Sequence, residues 1–157
     1  VINKKIQVGA NLLAGEWGHV PLGSVKEKIN IQDHISGKGL EKKYFKKSNK
    51  KLTAEEIFLK SKDRSSNEYS FTNEFLENLG LSLSILINII DPDAIVFGGG
   101  VSNSIESFDN VKKITEKYLK SFNNLKDLNL KTIFLKPKYG DASGVRGAAR
   151  LSRQGFI

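Results

Sequence analysis

Residues 14–19 read AGEWGH and set a carboxylate, an indole and an imidazole between glycines. Glu16 and His19 stand three positions apart in a stretch that can turn both side chains to one side. A carboxylate accepts hydrogen bonds from hydroxyls, and an imidazole can donate one and accept another. The pair therefore suits a polyol better than a phosphate, which Glu16 would repel. Trp17 serves either as a stacking platform or as core. No HExxH pattern and no third ligand sits nearby to make the pair a metal site.

A second stretch, residues 94–103 (AIVFGGGVSN), runs an apolar strand into three consecutive glycines. Without Cβ atoms the chain can turn sharply there and a ligand can approach the backbone. Such turns lie outside strand C-termini, where α/β proteins bind ligands, and the following helix offers its first amides to an anion. The spacing matches neither GxGxxG nor a GK[ST] phosphate loop, so a tight strand-to-helix turn without a ligand stays open. A third stretch, residues 139–150 (YGDASGVRGAAR), carries small residues that would let a helix lie closely on a neighbour. Asp141 or Ser143 could cap it. No GxSxG elbow supports a Ser143–His19–Asp141 triad.

Hydrophobic periodicity supplies the elements that must position these groups. Residues 4–8 (KKIQV) alternate like a short strand, and 11–23 read as loop. A helix is expected over 36–47 with Leu40, Tyr44 and Phe45 on its inner stripe. Thr53 and Glu56 fit a capping box opening a helix to about residue 60. Residues 69–90 make the strongest helix, with Leu76, Leu79, Leu83, Leu86 or Ile87, and Ile90 at helical steps. Its second half is apolar on nearly all sides and should be central. Pro92 stops it, and 94–97 follow as a buried strand. A helix over 104–122, a strand over 132–135 and a helix over 143–153 complete an α/β layer with parallel strands.

The 157 residues suffice for one ordinary domain, and their composition is that of a globular protein with a core. The absence of cysteine removes disulfides, thiolate chemistry and Cys-based zinc sites. A net charge of +8 raises nucleic acid as a partner. The basic residues are mostly lysines, and those between 38 and 62 are interleaved with glutamates, which reads as a solvated helical face. The longest apolar run, residues 79–90, is shorter than the roughly 20 residues of a membrane span. With no signal peptide visible, a cytoplasmic location is expected. A chain opening on Val reads as processed or as a fragment.

Residues 14–22 (AGEWGHVPL), 35–40 (ISGKGL), 88–103 (NIIDPDAIVFGGGVSN) and 140–150 (GDASGVRGAAR), in that order, resemble the C-terminal half of a ROK-family sugar kinase. The pattern is nearest a bacterial fructokinase or mannokinase. The resemblance implies an α/β fold, the C-terminal lobe of an actin-like ATPase (the sugar kinase, Hsp70 and actin fold), with a mixed sheet flanked by helices. It implies that residues 1–157 form one domain of a two-domain kinase. Glu16 and His19 would contact sugar hydroxyls, and Gly98, Gly99 and Gly100 would lie at the nucleotide. ATP with Mg2+ would phosphorylate a hexose hydroxyl, and a homodimer is expected.

The departures from the family pattern bear on activity. The DxGGT phosphate loop, the segment carrying the catalytic aspartate and a second glycine-rich phosphate segment have no counterpart here. No catalytic residue is therefore assigned within this chain, which should be inactive without an N-terminal lobe. Residues 23–31 (GSVKEKINI) stand where the family often has a cysteine-rich zinc loop, so no zinc is expected. A further sugar-contacting glutamate of the family falls nearest Gln32, which keeps a hydrogen bond but not the charge. The rival readings are a non-catalytic sugar-binding lobe of a ROK regulator and a basic nucleic-acid-binding protein. No membrane partner is expected, and nucleic acid is disfavoured.

Overall fold

The structure is a computed structural model that describes residues 1–3, 5–23 and 26–153, with only the backbone at 141 and 151–153. Lys4 of the expected first strand, Ser24 and Val25 of segment 23–31, and the Asp141 side chain lie outside the described residues. A 3-10 turn, Trp17–His19, precedes helices α1 (Ile31–Ile35), α2 (Gly37–Ser48), α3 (Ala54–Lys60) and α4 (Asn67–Ile90). Strand β1 (Ala94–Val96), helices α5 (Gly100–Ser104) and α6 (Phe108–Asn123), and strand β2 (Ile133–Leu135) follow. A 3-10 turn, Gly140–Ala142, then leads into α7 (Ser143–Arg153).

Local chemistry sets the helix ends. Asn30, Ser36, Thr53, Ser66 and Ser107 each accept a hydrogen bond from the amide three residues on, satisfying donors that a helix start leaves unpaired. The expected Thr53–Glu56 capping box is present, with the Thr53 amide donating to Glu56 Oε2 at 2.7 Å. Asn49, Asp91 and Asn124 close α2, α4 and α6 in left-handed geometry. Asp91, before Pro92, sends its amide to the Ile87 carbonyl at 2.8 Å.

Helix α4 is the centre of the packing. Thr72, Phe75, Leu79, Leu83 and Ile87 form its buried stripe, against α6, α3, α1 and α2. Each such side chain removed from water contributes about 1.5–3 kcal/mol. Gly80 marks the closest approach to α6: a Cβ there would fall 2.5 Å from Ile114 Cγ2 and 3.1 Å from the Thr115 amide. Glu77 binds the helices together further out, accepting from Lys117 Nζ and from the Tyr118 hydroxyl, each at 2.8 Å.

The two strands pair in parallel, Ala94 opposite Ile133 and Val96 opposite Leu135, as the helix–strand–helix–strand order requires. Of the expected mixed sheet, the described residues contain this parallel pair. The strand is not buried as expected: Ile95 and Phe134 pack inward, but Val96, Ile133 and Leu135 are exposed because helices cover one face only.

Other expectations change for similar reasons. Residues 5–8 do not form a strand, since Ile2 and Lys5 make an isolated bridge and, among the described residues, no neighbouring strand supplies a ladder to Ile6 and Val8. The helix expected over 104–122 splits, because Ile105 is buried in extended geometry and Ser107 restarts the chain as α6. Phe45 lies exposed one position beyond the Leu40–Tyr44 stripe, and Ile89 and Ile90 project past the end of the α4 packing. Helix α7 was expected to lie on another element, yet its chief contact is the preceding 3-10 turn. Added Cβ atoms at Gly144 and Gly147 would meet nothing within 4 Å.

Two predictions follow from the α4 contacts. Gly80→Ala should destabilise the fold by about 1–3 kcal/mol through overpacking against Ile114, read as a lower urea midpoint. The second concerns acid. The buried Tyr44 hydroxyl holds the Glu68 carboxyl below the usual range, and Lys117 does the same to Glu77. A depressed folded pKa gives stability that is present above the unfolded value of about 4.3 and lost as pH falls through the folded value. The melting temperature should therefore drop as pH falls below about 4.3, and Glu68→Gln should flatten that acid limb.

Candidate functional site

The GEWGH loop folds by local hydrogen bonds. Gly15 adopts φ +91°, and the Glu16 amide donates to the Leu13 carbonyl at 3.2 Å, turning the chain into the first 3-10 turn. Residues three apart eclipse in such a turn. Glu16 Oε2 and His19 Nδ1 accordingly lie 3.6 Å apart, with side chains 56% and 60% exposed. Both are available to a ligand. Trp17 packs against the hydrophobic core, which favours its core reading.

The loop then pairs with the start of α1. Leu22 and Ile31 amides donate to the Ile29 and Val20 carbonyls at 3.0 Å, bringing residues 19–22 alongside 29–31. His19 is thereby carried to Gln32. Gly18 lies beside it: a Cβ there would make ordinary contact with Gln32, 3.6 Å from its Cβ and 3.7 Å from its Oε1. His19 and Gln32 line one cleft of about 200 Å3, together with Asn30, Ser36, Lys38 and Lys42 among others. The structure brings His19 and Gln32 to one cleft and sets Glu16 beside His19, but Glu16 itself does not line that cleft. The two lysines were not foreseen as cleft residues; their i, i+4 spacing inside GKGLEKK was the available signal. Helix α1 was also missed, although its reciprocal Asn30–Asp33 cap is a readable signature.

Beyond β1 the chain is anchored by the Phe97 amide, which donates to the Leu135 carbonyl at 2.9 Å, and by Phe97 stacking on Phe108. Gly99 then takes φ +86°, a conformation that favours glycine. Its carbonyl accepts from the Ser102 hydroxyl at 2.6 Å, fixing the turn. Cβ atoms added at Gly98, Gly99 or Gly100 would meet nothing within 4 Å, so the backbone there faces open space. Residues 98–104 (GGGVSNS) carry no cation, which suits the nucleoside end of a nucleotide rather than its phosphates.

One contact joins the two pieces. A Cβ at Gly37, the first residue of α2, would lie 2.9 Å from Val101 Cγ2 and 3.3 Å from Ala54 Cβ. The wall of the cleft thus rests on the helix that leaves the glycine turn. The third stretch is not drawn in by comparable packing: Arg146 stacks on Tyr139 at 4.0 Å within it, and the buried Ser143 hydroxyl has no hydrogen-bond partner. Among the described residues, no three His, Asp or Glu side chains gather to hold a metal ion.

The ROK family model matches residues 1–155. The chain belongs to the ROK family. It is 29% identical to an N-acetyl-D-glucosamine kinase of Histophilus somni over 96% of this chain and 53% of that protein. A protein of the same name from Mannheimia succiniciproducens is 31% identical over the same shares. The chain spans about half the length of the curated relatives it matches. In fold it is similar to a ROK hexokinase from Thermus thermophilus, with a TM-score of 0.75 and 19% identity over 93% of this chain and 50% of that one. A Streptococcus pneumoniae ROK protein in complex with sucrose gives a TM-score of 0.78 and 18% identity over 100% and 55%. The fold is that of sugar kinases with an actin-like ATPase architecture. The relatives support a sugar kinase but not the fructokinase or mannokinase shading of the motif pattern.

The two glycine environments predict opposite costs. Gly37→Ala should lower stability by about 1–3 kcal/mol, because Val101 and Ala54 leave no room. Gly98→Ala, entering open space, should stay within about 0.5 kcal/mol of the parent in the same denaturation experiment.

Proposed function

We propose that this chain is the sugar-contacting C-terminal lobe of an ATP-dependent hexose kinase. The supporting observation is that His19, 3.6 Å from Glu16, and Gln32 line one cleft beside Gly37, which packs on Val101 of the helix leaving the glycine turn. In this reading Glu16 accepts from a sugar hydroxyl, while His19 and the Gln32 amide complete the set. Gly98, Gly99 and Gly100 let the adenosine end of ATP lie on bare backbone. ATP with Mg2+ supplies the phosphoryl group. The aspartate that receives the hydroxyl proton, and the phosphate loops, belong to an N-terminal lobe.

Positioning two substrates is where such a lobe contributes, since phosphoryl transfer depends chiefly on alignment and charge neutralisation. A cytoplasmic setting and a homodimer go with this reading. N-acetyl-D-glucosamine leads the substrate candidates because relatives bear that name, with fructose and mannose next from the motif pattern.

The test is a coupled kinase assay on the full-length protein with ATP and these sugars plus glucose. One sugar should be turned over, and Glu16→Gln or His19→Gln should lower its kcat/KM by about 10- to 100-fold, the loss of one or two charge-assisted hydrogen bonds. A sugar-induced rise in melting temperature without turnover would replace catalysis with the regulator reading. No turnover and no thermal shift with any sugar would sink the proposal.

A further inference from the structure

The cleft carries a cationic feature that recognition of a neutral hexose does not use. Lys38 and Lys42 both line it, one helical turn apart on α2, so their side chains rise from neighbouring points of one ridge. Among the described residues neither lysine forms an ion pair with a carboxylate. The lining acid, Asp33, is already engaged, accepting from the Asn30 amide at 3.0 Å in the α1 cap. Glu41, between the two lysines in sequence, instead accepts from the Ala54 amide at 2.9 Å. At Gln32, where the resemblance places a glutamate, an uncharged amide faces the same space. The cleft thus presents two ammonium groups with no ion-pair partner among the described residues, against one lining carboxylate, Asp33, which is tied into the α1 cap.

Resting on the sugar reading above, we propose that this cleft binds hexoses bearing an acidic substituent, a phosphate or a carboxylate, with Lys38 and Lys42 flanking that group. Two ammonium donors about 5–6 Å apart at their Cβ atoms can clasp one tetrahedral or planar anion. Gln32 donates to the sugar beside it, and His19 contacts a hydroxyl at the opposite end of the molecule. A phosphorylated hexose is therefore held more tightly than its neutral parent. In a kinase, such a compound is either the substrate or a slowly released product.

Calorimetric titration of the full-length protein tests this. N-acetyl-D-glucosamine, glucose, mannose and fructose are each compared with their 6-phosphates, with glucuronate and inorganic phosphate as further probes. At low salt at least one acidic sugar should bind about tenfold or more tightly than its parent, equivalent to one charge-assisted hydrogen bond. That preference should shrink as salt is raised. A 6-phosphate preference without a glucuronate response assigns the site to phosphate, and the reverse assigns it to carboxylate. The combined Lys38→Gln and Lys42→Gln variant should bring the ratio of acidic to neutral affinity towards one. Gln32→Glu should lower the ratio independently, deciding the matter if the lysine variant does not fold. Equal affinities for each pair would overturn the inference and leave the sugar reading standing. Phosphate binding as tightly as every 6-phosphate, or no binding by any probe, would overturn both.

Discussion

The rest of the architecture depends on how closely α4 and α6 approach at Gly80. With only a hydrogen where a side chain would stand, Ile114 and the Thr115 backbone come into direct contact with α4. That crossing fixes the depth of the core in which Leu79, Leu83 and Val111 are buried. It also fixes β1, because Asp91 and Pro92 turn the chain out of α4 directly into the strand. From there the glycine turn, α5 and the buried Ile105 take positions that α4 has already determined. Packing at protein-interior density tolerates little variation in such a crossing.

The candidate site is built on this frame by a sequence of small residues. Gly37 accommodates Val101, and Gly39 passes where a Cβ would lie 2.1 Å from the Asp33 carbonyl. Each absent side chain removes one layer of separation between cleft, α1–α2 corner and glycine turn. The polar groups offered to ligand are held by backbone geometry rather than by ion pairs. Glu16 and His19 face each other because a 3-10 turn eclipses them, and Gln32 joins them because residues 19–22 run beside 29–31. Such a site can be rigid while its side chains remain exposed.

Much of this was legible in the sequence where the signal is local. The Thr53–Glu56 cap, the α4 stripe through Leu79 and Leu83, the stop at Pro92 and the parallel pairing of the two strands after it all correspond to structure. So does the pairing of Glu16 with His19, which needs only a turn. What was not legible depends on neighbours. Whether KKIQV becomes a strand is decided by a partner ladder, and whether Val96 is buried by a second layer of cover. The split between α5 and α6 turns on Ile105 being drawn into the core, which no helical period of 104–122 records. Lys38 and Lys42 looked like ordinary solvated charges because the cleft beside them forms only when α1 folds back on the GEWGH loop.

The bare outer face of the β1–β2 pair has a thermodynamic consequence. Parallel strands are ordinarily sandwiched, and here Val96, Ile133 and Leu135 present 58, 55 and 43% of their surface to solvent. Any surface that covers them binds the folded chain in preference to the unfolded one. Folding stability is then linked to association by mass action.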